Sequence, residues 1–161
     1  MKNILIPTDF TIKSLKLINA AVEQFKGEPL KIYLIHALEP DSSISGLLFF
    51  KKRSKANFMY SDSFLDACEM LRNKYCSALK GIHIEFYFGQ TNSYKKNFLE
   101  ARKIDAIMLP LNYKFERCSG DSRDPFEVWR QKFVPVQYHS LSELPMPKSI
   151  LSESKASLLS I

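Results

Sequence analysis

The sequence predicts an α/β protein, a layered sandwich with a parallel sheet between helices on both faces. Three observations carry this. Apolar runs of strand length alternate along the chain with stretches of helical period, the pattern of a parallel sheet with crossover helices. The first strand, Asn3 to Ile6, breaks into the polar turn Pro7-Thr8-Asp9 and a helix follows at once, the usual opening of α/β nucleotide-binding folds, whose ligands sit at the carboxyl ends of strands. A length of 161 residues favours one domain and is enough to bury a proper core.

Taken in order, Thr11 is placed to cap the first helix. Leu15, Ile18, Ala21, Val22 and Phe25 then repeat at helical spacing. Gly27 supplies the stop, with Pro29 just beyond. The second strand runs from Leu30 to Leu38 and is apolar on both faces, as an interior parallel strand should be. Residues 39–60 read as a long insertion. GLLFFKKRSKANFMY within it is both apolar and basic, and two readings stand: an amphipathic surface-binding segment, or Leu47, Leu48, Phe49 and Phe50 docked on the domain.

Helical period resumes near Ser63 with Phe64, Ala67, Cys68, Leu71, Tyr75 and Leu79, and Gly81 is expected to end that helix. Ile82 to Phe88 alternates strictly, with His83, Glu85 and Tyr87 on the second face, which places this third strand at or near a sheet edge. Asn92 or Ser93 is the expected cap of a helix carrying Tyr94, Phe98, Leu99 and Ala101. Ile104 to Leu109 forms the fourth strand, closed by Pro110. Leu111 to Arg123 has no period and reads as a loop. Asp124-Pro125-Phe126-Glu127 is a helix start, with aspartate at the cap, proline at the first position and glutamate at the third. Val128, Trp129 and Phe133 are its expected buried side. Val134 to His139 is the fifth strand, with Pro135 pointing to an edge. Residues 1–139 form the domain, and 140–161 are a tail, flexible or docked.

Net charge is +6 with a pI near 9.2. The only dense basic run is Lys51-Lys52-Arg53 with Lys55, so the excess reads as solvated surface, with no nucleic-acid partner and no membrane surface called for. Cys68, Cys76 and Cys118 show no CxxC and read as reduced thiols of a cytoplasmic protein. No signal-type or spanning apolar run is present.

The opening KNILIPTDF with Thr11 and Ser14, Ile35-His36-Ala37 closing the second strand, Ile104-Asp105-Ala106-Ile107-Met108, and the terminal Val134-Pro135-Val136 together resemble the universal stress protein family over residues 1–139. The resemblance implies an adenine nucleotide alpha hydrolase-like sandwich, a five-stranded sheet of order 3-2-1-4-5, and a switch point between strands one and four. In nucleotide-binding members a Gly-x2-Gly-x9-Gly-Ser/Thr motif follows strand four, where bare backbone and helix N–H groups hold phosphates. The matching positions here are Pro110, Tyr113, Arg123 and Asp124. Proline removes a donor, tyrosine adds a ring, and aspartate brings a carboxylate to the helix start.

These residues count against ATP or AMP as a cofactor. Lys114, Arg117, Arg123, Arg130 and Lys132 could still hold phosphates by side chain. Thr8 and Asp9, and with them Ala37, match the family's base-side positions, and Pro7 and Met108 join them as candidate ligand-binding residues. Asp9 is open to two readings, ligand contact or a turn residue satisfied by the first helix. The resemblance also implies a homodimer paired along strand five, with Val134, Val136 and Tyr138 as the edge.

No catalytic constellation emerges. His36, His83 and His139 lie far apart and suggest no metal site. His36 reads as a strand-end histidine with a hydrogen-bond partner. Spacing supports no cysteine–histidine pair, and Ser119-Gly120-Asp121-Ser122 reads as a mobile polar loop. The expectation is a non-catalytic universal-stress-like protein acting through an unknown partner; the alternative is a small-molecule or adenine-nucleotide module built on Asp9 and the basic loop.

Overall fold

In the computed structural model, residues 1–40, 60–130 and 133–142 are described. The strands are β1 (Lys2–Pro7), β2 (Leu30–Leu38), β3 (Leu79–Tyr87), β4 (Ala106–Leu111), β5 (Ser122–Arg123) and β6 (Val136–Ser140). The helices are α1 (Lys16–Gln24, after a 3-10 turn at Ile12–Leu15), α2 (Asp62–Lys74), α3 (Asn92–Ala101) and the short α4 (Pro125–Val128). The sheet order is β3-β2-β1-β4-β6. The strands along that path are all parallel, and β5 joins β2 antiparallel. The expected five-strand order is therefore present, with β6 as its last strand and β5 as an addition.

β1 holds the centre. Its register sets Ile4 beside Ile32 and Ala106, and Leu5 beside Tyr33 and Ile107. Alternation along the strands then divides the core in two. Ile4, Ile6, Ile32, Leu34 and Met108 pack under Leu17, Ile18 and Ala21 of α1 and Phe64, Ala67 and Leu71 of α2. Leu5, Tyr33, Ile35, Ile107 and Leu109 pack on the opposite face with Phe98 and Leu99 of α3 and with Trp129. Each fully buried aliphatic side chain in these layers contributes roughly 1.5–3 kcal/mol of transfer free energy.

Several local signals are observed as expected. Gly27 has φ +89°, and Thr11 Oγ1 accepts from Ser14 N, although this caps the 3-10 turn and α1 itself starts from Leu15 with no side-chain cap. Asp124 Oδ1 accepts from Phe126 N at 2.9 Å and Glu127 N at 3.4 Å, with Pro125 at the first helical position. β3 is an edge strand.

Other elements differ. α2 ends at Lys74, and Leu79 and Gly81 lie in β3, paired with Leu30 and Lys31 across a register shift. Leu79 falls on both the helical spacing from Tyr75 and the strand, and the sheet partner decides. Thr91, rather than Asn92 or Ser93, caps α3 through Tyr94 N. Pro110 does not close β4: Pro110 and Leu111 pair with His139 and Ser140 of β6. β1 pairs with β4 only at Ile4 and Leu5, so proline's missing N–H breaks no rung to β1. Phe133 is exposed rather than buried, at 42%. Val134 precedes the last strand, which continues to Ser140. Residues 41–59, most of the insertion, lie outside the described residues, as do Lys132 and residues 143–161 of the tail. No helix among the described residues is long and apolar enough to cross a membrane.

Candidate functional site

The crevice at the carboxyl ends of β1 and β4 is built from the turn Thr8-Asp9-Phe10. Thr8 N donates to Ile35 O as β1 leaves the sheet. Thr8 Oγ1 then accepts from Phe10 N at 3.0 Å and meets Ser14 Oγ at 2.8 Å. Phe10 has φ 61°, a left-handed backbone that a bulky residue adopts only under constraint. That backbone turns its ring inward to stack on His36, with centroids 4.6 Å apart, and to meet Tyr60, Phe64 and Phe86.

Asp9 is 2% exposed, and the chain itself satisfies its carboxylate. Oδ1 accepts from Thr11 N at 3.2 Å and Thr11 Oγ1 at 2.7 Å. Oδ2 accepts from the Tyr113 hydroxyl at 2.8 Å and from Glu116 N at 3.0 Å. Both readings of Asp9 thus meet a third arrangement: it is a turn residue, and it also ties down the loop after β4. Tyr113 is fixed edge-on against Phe126 at 5.2 Å. Burial, reinforced by Asp9, drives the Tyr113 phenol well above its usual pKa, so its proton stays on the bond to Asp9.

The other expected site residues are dispersed. Pro7 pairs with Ile35 in the ladder. Met108 lies in the core layer against which Tyr113 packs. Ala37 is fully buried between Tyr87 and Arg123 on the neighbouring strands. Arg123 does not reach toward Asp9. Its guanidinium donates to Leu38 O at 3.2 Å and Gly89 O at 2.8 Å, and stands 4.0 Å from Glu39, so it clasps the ends of β2 and β3. Asp124 is spent on the N–H groups of α4, as its position predicts. Of the basic residues, Lys114 and Arg117 are exposed and Arg130 pairs with Glu127 at 3.1 Å.

Val134 and Val136 pack against the second core layer and Tyr138 is 44% exposed. β6 pairs with β4 alone, leaving its other edge without a partner strand among the described residues.

The reading of 111–123 as loop misses β5, and with it a cluster. β5 runs back along the end of β2 and sets Ser122, 1% exposed, against His36. His36 Nδ1 lies 2.7 Å from Thr8 O, and Nε2 lies 2.8 Å from Ser122 Oγ and 3.4 Å from Cys118 Sγ. Ser119-Gly120-Asp121-Ser122 therefore turns into β5, and a cysteine–histidine pair exists that spacing does not reveal. Burial lowers the His36 pKa, only partly opposed by the Thr8 carbonyl and Asp9. The expected hydrogen-bonded, strand-end histidine is what the structure contains.

No protein-family model matches the sequence, and no curated protein matches it. Solved structures do. The hypothetical protein PH0823 is 18% identical, with 90% of this chain and 99% of that one covered and a TM-score of 0.51. The hypothetical protein MJ0577 is 16% identical, with 86% and 95% covered and a TM-score of 0.52. A universal stress family protein from Burkholderia pseudomallei, at 11% identity over 86% and 95%, superposes more loosely, with a TM-score of 0.47. The first two likenesses establish the fold. This chain has the layered α/β sandwich, with the parallel strand order, that its sequence leads one to expect.

Proposed function

We propose that this chain is a non-catalytic universal-stress-like protein of the cytoplasm, a homodimer that acts in a stress response through a protein partner and without ATP in the crevice between β1 and β4. One observation carries the reading: the Tyr113 hydroxyl and Glu116 N occupy the Asp9 carboxylate that a base or ribose would otherwise meet. The phosphate side supports it. Pro110 lies in the sheet, and Asp124 takes the N–H groups of α4 that would hold an anion. Three unpaired cysteines suit a reducing compartment. The open edge of β6, with Tyr138 exposed, suits pairing with a second copy. The reading invokes neither nucleic acid nor a membrane surface.

Two measurements test it. A thermal-shift series with ATP, ADP and AMP at millimolar concentration is expected to leave Tm unchanged, because a ligand that binds the native state raises stability by RT ln(1 + [L]/Kd). A saturable shift, lost in Asp9→Ala, would overturn the ATP-free reading and establish a nucleotide-binding module. Sedimentation equilibrium is expected to give twice the chain mass; a monomer at high micromolar concentration removes the dimer.

A further inference from the structure

The pair formed by Cys118 and His36 lies outside everything the fold likeness supplies, and its parts are those of an activated thiol. Thr8 O is a carbonyl and can only accept, so the 2.7 Å contact requires the proton of neutral His36 on Nδ1. Nε2 then carries no proton; it accepts from Ser122 Oγ at 2.8 Å and stands 3.4 Å from Cys118 Sγ, which is also 3.3 Å from Ser122 Oγ. The ring is held in this orientation by the Phe10 stack at 4.6 Å and the Phe86 edge contact at 6.3 Å. A nucleophile, a base and a group that orients the base are thus in sequence. Ser122 is enclosed and cannot meet a substrate, whereas Cys118 is an exposed residue whose thiol is partly buried against His36 and Ser122.

We propose that Cys118 is a thiol-modification site, with His36 as its general base, that reacts with small disulfides to form a mixed disulfide. Sγ attacks one sulfur of the incoming disulfide. The Sγ–S bond forms as the S–S bond breaks, and Nε2 takes the thiol proton and returns it to the departing thiolate. Cys118 is oxidised, and the released half of the disulfide is reduced to a thiol. Partial burial and the Asp9 charge raise the Cys118 pKa, so the resting group is a thiol. Assistance comes from Nε2 during attack rather than from a stored thiolate.

The chain carries its own control. Cys76 is also exposed, but among the described residues no histidine contact accompanies it, and Cys68 is buried. The first experiment uses the unmodified full chain with a limiting amount of glutathione disulfide at pH 7, followed by peptide mass mapping. The adduct is expected at Cys118 before Cys76; equal labelling, or Cys76 first, overturns the proposal. The second measures rate constants with 5,5′-dithiobis(2-nitrobenzoate) on Cys76→Ser, which leaves Cys118 as the exposed thiol, and on Cys118→Ser, which leaves Cys76. Cys118 is expected to react about tenfold faster or more, a modest share of the roughly 10²–10⁴-fold that a positioned base can contribute. His36→Gln in the Cys76→Ser background should bring the Cys118 rate down to that of Cys76. Ser122→Ala, which leaves Nε2 to Cys118 alone, should hold or raise it. A His36→Gln rate unchanged within about twofold means that exposure alone governs the thiol, and the base role is refuted. If His36→Gln does not fold, the mapping on the unmodified chain decides.

Discussion

Tyr113→Phe deletes one oxygen and leaves the ring against Phe126. In the native protein that hydroxyl donates to Asp9 Oδ2 at 2.8 Å, beside Thr11 Oγ1 at 2.7 Å. A hydrogen bond to a charged group contributes roughly 1.5–3 kcal/mol. Thr11 N, Thr11 Oγ1 and Glu116 N remain on the carboxylate, so Asp9 is not stranded and the low end applies, about 1.5 kcal/mol. At about 2–4 °C per kcal/mol for a chain of this size, Tm should fall by about 3–6 °C. Urea unfolding can be followed by the fluorescence of Trp129, the one tryptophan, which is fully buried. Pairing the change with Asp9→Asn closes a double-mutant cycle, and the coupling should be about 1 kcal/mol or more. A Tyr113→Phe loss below about 0.5 kcal/mol, or effects that add, would show that the loop is not held to the end of β1 by this bond.

Four further outcomes follow from the same geometry. Asp124→Ala removes the cap of α4 and should cost about 1 kcal/mol by the same urea assay, with no effect expected if the cap is idle. His36 binds its proton more weakly when folded, so stability is whole above the ordinary imidazole pKa of 6.5 and is lost as pH falls below it. The slope should be at most about 1.4 kcal/mol per pH unit for this group. His139 is lowered too, so a His139→Gln background isolates the His36 share, and a flat acid limb there would contradict its burial as a neutral ring. Cys68 holds its proton more tightly when folded, its pKa pushed from 9.0 up to about 12 by burial, so stability should decline as pH rises from 9 toward 12, and the decline should be shallower in Cys68→Ala, where Cys118, Tyr87 and Tyr113 still contribute. Tyr138→Arg places a charge on the exposed position of β6 and should convert a dimer to a monomer in sedimentation while Tm measured on the monomer stays within about 2 °C, as for other surface changes.

What could be read in the sequence was whatever neighbours in the chain decide. Asp124 with Pro125, Thr11 with Ser14, and Gly27 are local devices, and each sits where its chemistry requires. The two-sided apolar run of β2 marks an interior strand because both core layers need it. Signals failed where the deciding partner is remote. Leu79 satisfies a helical period and a strand equally, and only its pairing with Leu30 settles it. Thr91 outcompetes the better-placed Asn92 because the chain turns one residue earlier. A strand of two residues has no period at all, so β5 could not be seen.

That short strand explains why the site itself was half legible. For Tyr113 the sequence offers only the identity of the residue, a ring and a hydroxyl in the loop after β4. Its bond to Asp9 spans 104 positions and depends on where the loop after β4 descends. The descent is fixed at its far end by β5, which pairs Ser122 and Arg123 with Leu38 and Ala37. The same anchoring sets Cys118 beside His36, 82 positions away. His36 in turn is oriented by the carbonyl of Thr8, the residue before Asp9. The tie of the loop to Asp9 and the placing of Cys118 beside His36 are therefore one structural arrangement, in which a loop is held to the end of β1 at Asp9 and, through His36, at Thr8.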